Sequence, residues 1–220
     1  MHYQKGILLV VISAVCYGFI PIFTLYAYQE GLKTLDFLFY RYLVATIFYF
    51  LYLLVRRIRI RLNWNQVFWL FIIGGVFNLL QSIFFVSAVK YISAGLTTLL
   101  FFIHPILVAV LSYFGGDKLS RGTVVAVLVS FGGLLLELGT SLGKVNMLGV
   151  ALSLAAAVCY TGFVMLGNRV IKDVDTVVMT SFVSLFTLAA LLPLTFIFGG
   201  LGIPTTVNGW LAAAGCGIVT

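Results

Sequence analysis

Charge is what this 220-residue chain lacks most: 9% of its residues are Asp, Glu, Lys or Arg, and 62% are apolar. A soluble domain carries about a quarter charged residues, so a soluble globular protein is excluded. Acidic residues are scarcest, six against thirteen Lys and Arg. Histidine is nearly absent too. Of the two present, His2 lies at the terminus, which excludes a histidine-rich metal centre within these residues. Three cysteines, Cys16, Cys159 and Cys216, all fall inside apolar runs, without metal-binding or disulfide-framework spacing. They read as small packing residues. No metal and no cofactor is expected. Also missing are His-Glu-x-x-His, Gly-x-Ser-x-Gly, Cys-x-x-Cys, a phosphate-cradling glycine loop and a carboxylate pair at catalytic spacing. An enzyme is therefore not expected.

What the chain does have is long apolar runs. They predict helices over about Gly6–Tyr28, Leu35–Val55, Val67–Val89, Ile92–Phe114, Gly122–Leu138, Leu148–Leu166 and Thr176–Phe198, each near the ~20 residues that cross a bilayer. An eighth run starts near Gly209 and stops at Thr220. The chain is thus expected to continue past Thr220, by roughly 80 residues if about three more helices of ~20 residues and their loops follow. The first run is too long for a signal-peptide core and shows no clear cleavage site, so it is expected to remain as a helix. The predicted fold class is an all-α integral membrane protein, a polytopic helix bundle of about seven full helices and part of an eighth.

The basic residues are not spread evenly. With a cytoplasmic N-terminus, Lys5, Arg56, Arg57, Arg59, Arg61, Lys118, Arg121, Arg169 and Lys172 fall inside, and only Lys33, Lys90 and Lys144 fall outside. Nine against three is the bias of the positive-inside rule. It explains the net charge of +7 without nucleic acid, which is not expected as a partner. Trp64, Trp69 and Trp210 sit near predicted helix ends, as interfacial aromatics do.

The chain also repeats itself. Ala14–Val15–Cys16–Tyr17 recurs as Ala157–Val158–Cys159–Tyr160, Leu35–Asp36 resembles Val174–Asp175, and Trp69–Leu70 with Gly74 resembles Trp210–Leu211 with Gly215. Three blocks in one order imply a five-helix unit over residues 1–145 and the start of a second over 146–220. An odd number of helices inverts the second copy, and inverted tandem repeats place substrate near the midplane between the copies.

With the repeat in view, the chain resembles the EamA-type members of the drug/metabolite transporter superfamily. The resemblance rests on the five-helix repeat, on Arg41 early in the second helix (Phe39–Tyr40–Arg41–Tyr42–Leu43–Val44–Ala45), on His104–Pro105 within the fourth, and on the turn Gly116–Asp117–Lys118–Leu119–Ser120 followed by Gly132–Gly133. The family usually has Glu where this chain has Asp117. The resemblance implies a ten-helix carrier of small metabolites working by alternating access, commonly an exporter, and implies no particular substrate.

Candidate site residues follow from depth and face. His104 lies ~18 Å along its helix at ~1.5 Å per residue, and an ionisable ring at that depth is a functional candidate by default. It either binds an anionic group or carries a proton, or is a neutral ring bonded to a neighbouring helix. Pro105 is the expected hinge. Thr97 and Phe101 share the face of His104. Asn78, Gln81 and Ser82 share a face of the third helix, lining a polar cavity or bonding between helices; Gly74–Gly75 before them permit close packing or bending. Tyr17 and Tyr160 hold equivalent places in the two repeats, flanking substrate or packing in the core. Arg41 either snorkels towards Asp36 or Glu30 or faces the cavity and pairs with a carboxylate or phosphate. The Arg56 to Arg61 cluster reads as a topology signal, with attraction to anionic lipid as a second effect.

These readings favour a secondary-active carrier of small metabolites such as amino acids or organic anions, which the resemblance implies is an exporter, over a passive channel or a non-transporting helper subunit. Its expected partners are a small-molecule substrate and the lipid bilayer, with room for a homodimer. Its expected location is the inner (plasma) membrane, multi-pass, with the N-terminus cytoplasmic.

Overall fold

The computed structural model describes residues 15, 18–114, 125, 129, 132, 146–170, 174–199, 201–204 and 206–219. Among these there is no strand. The helices are α1 (Ile20–Gln29), α2 (Thr34–Val55), α3 (Trp64–Ala88), α4 (Ala94–Phe114), α5 (Met147–Val170), α6 (Thr176–Ile197) and α7 (Val207–Val219). Five of them, α2 to α6, are long and apolar enough to span a bilayer. The all-helical membrane architecture read from the apolar runs is the observed one. The predicted helix over 122–138 lies outside the described residues apart from three isolated positions.

Local chemistry sets the helix ends. The Ser93 hydroxyl accepts the Leu96 N–H to start α4, and the Asp175 carboxylate accepts the Val177 N–H to start α6. At the head of α3 the Gln66 side-chain carbonyl accepts the Asn63 N–H.

Two helices depart from regularity. In α3 the stretch Ile73–Asn78 winds as a π-turn, a feature that often marks a functional site. Its Gly74 lies so close to α6 that an added Cβ would sit 2.6 Å from the Val183 carbonyl oxygen. In α4 the helix stops at Phe101 and resumes at His104. Pro105 predicts this break, since it cannot supply the N–H that would bond the Phe101 carbonyl.

The helices pack antiparallel in pairs. Between α2 and α6, the Thr46 and Ser184 hydroxyls bond at 2.9 Å and Phe50 meets Phe182 further along. Between α3 and α5, Phe77 fills the space over Gly162. Between α1 and α7, Phe23 lies over Gly215 and the Glu30 carboxylate takes the Thr206 hydroxyl at 2.6 Å. Gly217 of α7 lies against the Arg41 carbonyl of α2, as Gly74 of α3 lies against Val183 of α6. Exchanging α1, α2, α3 with α5, α6, α7 maps this set of contacts onto itself.

Apolar side chains form two main cores. The larger joins Phe37, Leu38, Phe85, Phe101 and Leu191; a smaller one centres on Leu70, Ile73 and Val183. Between them lies a cavity lined by both polar and apolar side chains.

Candidate functional site

Four helices wall this cavity, which has a volume of about 190 Å³. From α2 come Arg41, Tyr42, Ala45 and Tyr49; from α3, Asn78 and Gln81; from α5, Tyr160 and Phe163; from α6, Thr180, Val183 and Ser184. The spacing 41, 45, 49 is one helical face, as is 180, 184. The lining therefore follows from where α2 and α6 cross.

Arg41 carries the only formal charge among the lining residues, and its side chain is 4% exposed. Its guanidinium carbon sits 5.2 Å from the Tyr42 ring centroid, a cation–π distance. Of the two readings open from the sequence, the structure places Arg41 on the cavity. Asp36 accepts the Gly202 N–H at 3.1 Å, and Glu30 accepts from Thr206 and Asn208.

One wall is a directed chain of hydrogen bonds. The Thr187 hydroxyl shares its one proton between the Gly74 and Val183 carbonyls, both at 2.8 Å. The Asn78 amide donates to Thr187 at 2.9 Å and to the Tyr42 hydroxyl at 3.0 Å. Ser82 donates to the Gln81 carbonyl oxygen at 3.2 Å, so the 2.6 Å bond between Tyr42 and Ser82 is given by Tyr42. Donation thus runs outward from Asn78 along two arms, through Thr187 to the backbone carbonyls and through Tyr42 and Ser82 to Gln81, and each bond along an arm polarises the next. Both N–H groups of Asn78 are occupied in holding Tyr42 and α6, so Asn78 positions its neighbours.

His104 stands one layer back. Its Nδ1 is 3.0 Å from the Phe101 carbonyl oxygen; a carbonyl only accepts, so Nδ1 carries the proton. The imidazole packs edge-on against the Tyr160 ring, centroids 4.6 Å apart, and against Phe101 at 5.0 Å. Tyr160 also stacks on Phe163, so it stands between the cavity and the break in α4. Phe101 is buried in the larger core, and the Thr97 hydroxyl bonds the Ser93 carbonyl of its own helix. The expected site thus divides. Arg41, Asn78, Gln81 and Tyr160 come together on the cavity; His104, Phe101 and Thr97 support it from behind or belong to the core. Tyr17 lies outside the described residues.

Sequence reasoning passed over Tyr42, Ala45, Tyr49, Phe163, Thr180 and Ser184. The face of α2 running from Arg41 through 45 and 49 was a usable signal. So was the hydroxyl pair 180 and 184.

A family model described as the EamA-like transporter family matches residues 4–138. The chain belongs to that family. It is accordingly a multi-pass membrane transporter of the drug/metabolite transporter superfamily, and members of the EamA-like family are transporters rather than typical enzymes. No curated protein matches the chain. A solved crystal structure of a protein superposes with a TM-score of 0.72 at 22% identity, over 94% of this EamA-like chain and 74% of its own. At that identity the likeness is one of fold.

Proposed function

We propose that this protein is a secondary-active carrier of small anionic or zwitterionic metabolites, such as amino acids or organic anions, binding them beside Arg41. The observation that carries this reading is a buried guanidinium on the wall of the cavity. A buried arginine matches a carboxylate or phosphate by a bidentate pair. Gln81, Tyr160 and Ser184 supply further polar contacts, and the rings of Tyr42, Tyr49 and Phe163 cover the apolar part. At about 190 Å³, the cavity is smaller than the roughly 300–1,000 Å³ typical of drug-sized ligands, which favours a substrate of amino-acid size.

The exchangeable contacts of α1–α3 with α5–α7 support a division into repeats over residues 1–145 and 146–220, with substrate between them. Alternating access would pivot near the break at Pro105, with His104 and Tyr160 linking that break to the substrate. The basic bias of one set of loops supports a cytoplasmic N-terminus in the inner membrane, and export is the expected direction.

Counterflow in proteoliposomes tests this. A panel of amino acids, dicarboxylates and organic cations is loaded inside, and uptake of each labelled compound is followed. Trans-stimulated uptake of an anionic or zwitterionic compound is expected. Uptake of cations alone would overturn the substrate class, and uptake without trans-stimulation would point to a channel.

A further inference from the structure

We propose that the link between α2 and α3 is a binding surface for anionic phospholipid headgroups, whatever the protein carries. It reads Arg56–Arg57–Ile58–Arg59–Ile60–Arg61–Leu62–Asn63.

The last turn of α2 closes with the Ile58 N–H on the Leu53 carbonyl at 3.1 Å and the Arg57 N–H on the Leu54 carbonyl at 3.2 Å. This is a Schellman ending, which calls for a left-handed residue and strongly prefers glycine. Arg57 occupies that position at φ 53°, and among the described residues it is the one non-glycine with positive φ. A strained backbone is kept where the side chain has a task. Beyond it, arginine alternates with aliphatic residues. Ile58 and Leu62 are half-buried, and Leu62 packs on the Leu70–Ile73–Val183 core. Arg57, Arg59 and Arg61 are exposed, and Ile60 between them is 47% exposed.

The surroundings specify the partner. Both flanking helices are membrane spans. The residues bordering the link, Leu54, Val55 and Trp64, are 75%, 71% and 88% exposed, apolar surface suited to the boundary between headgroups and acyl chains. Asp175, at the head of α6 with Val174 on the same core, uses its carboxylate to cap that helix. A topology signal needs only positive charge, which lysine supplies. Four arginines in six positions, one of them strained, suit bidentate pairing with phosphodiesters.

The test uses purified protein in neutral detergent, where orientation in a membrane has no influence. Binding of dioleoylphosphatidylglycerol and dioleoylphosphatidylcholine is measured by native mass spectrometry with lipid titration. Each basic residue at an anionic surface contributes about fivefold in affinity, so R59Q/R61Q should bind phosphatidylglycerol roughly 25-fold more weakly, with phosphatidylcholine binding unchanged. R59K/R61K should fall between. R57G keeps the fold in view: it should raise thermal stability by relieving strain, yet weaken phosphatidylglycerol binding. Equal binding of the two lipids by the unaltered protein would overturn the proposal. So would a Gln variant that binds as before, or an oligonucleotide bound as tightly as phosphatidylglycerol, which would mark a general polyanion patch.

Discussion

The Nδ1 of His104 donates to the carbonyl of Phe101 at 3.0 Å, the acceptor that the N–H of residue 105 would take in an unbroken helix. Pro105 removes the backbone donor and the residue before it supplies a side-chain one. Neither feature requires the other to be a ligand. Together they make a helix break whose exposed carbonyl is satisfied, which apolar surroundings demand.

This pairing predicts non-additivity. H104A should cost about 1 kcal/mol, the usual net value of one hydrogen bond, lowering Tm by about 2–4 °C. In a P105A background the backbone N–H can reach Phe101 again, and the same H104A substitution should cost far less. Thermal unfolding of the four proteins in detergent gives the cycle. Equal losses in both backgrounds would show that the cap is not what His104 contributes.

Two adjacent glycines should behave oppositely. A Cβ on Gly74 meets the Val183 carbonyl oxygen at 2.6 Å and its Cα at 3.0 Å, both backbone, whereas one on Gly75 meets the Phe71 ring at 3.5 Å. G74A should force α3 from α6 and cost about 1–3 kcal/mol, the usual penalty of overpacking. G75A should be neutral or gain up to about 1 kcal/mol from helix propensity. Unfolding midpoints decide it, and a stable G74A protein would refute the close approach.

The polar wall offers a third test. Asn78 donates to Thr187, which shares its one proton between the Gly74 and Val183 carbonyls. N78A and T187V each break the chain, so the double variant should cost less than the sum. The coupling should be about 0.6 kcal/mol, the mean for interhelical hydrogen bonds in membranes. Strict additivity would mean that the chain does not act as a unit.

The helices were legible because spanning a bilayer demands ~20 apolar residues whatever the tertiary packing. The break at Pro105 was legible for an equally local reason, a missing donor. Arg41, Asn78, Gln81 and Tyr160 stood out because polar or amphipathic groups at membrane depth are costly. The same logic picked out His104, which the structure places behind the cavity lining with its Nδ1 on the Phe101 carbonyl, since cost alone does not tell a group lining a cavity from one capping a carbonyl. Ala45 and Val183 line the cavity with ordinary apolar side chains, so only the crossing of α2 with α6 reveals them. Likewise, the π-turn in α3 arises where Gly74 meets Val183, a contact between residues more than a hundred positions apart.

Arg41 should then dominate substrate recognition. Hydrogen bonds to a charged group contribute about 1.5–3 kcal/mol, and about 1.4 kcal/mol is tenfold. R41A should therefore reduce uptake of an anionic or zwitterionic substrate by roughly 10–100-fold at concentrations below saturation. R41K keeps the charge but loses the planar fork, so it should recover only part of the loss if binding is bidentate. The substitution removes a buried side chain, so folding is checked first by thermal unfolding in detergent, and flux is compared only between folded proteins. A cationic substrate would show the reverse, because the cavity would lose its repulsive charge and uptake by R41A would rise. Measuring both classes of compound on the same two variants thus reads the sign of the charge that the cavity is built to hold.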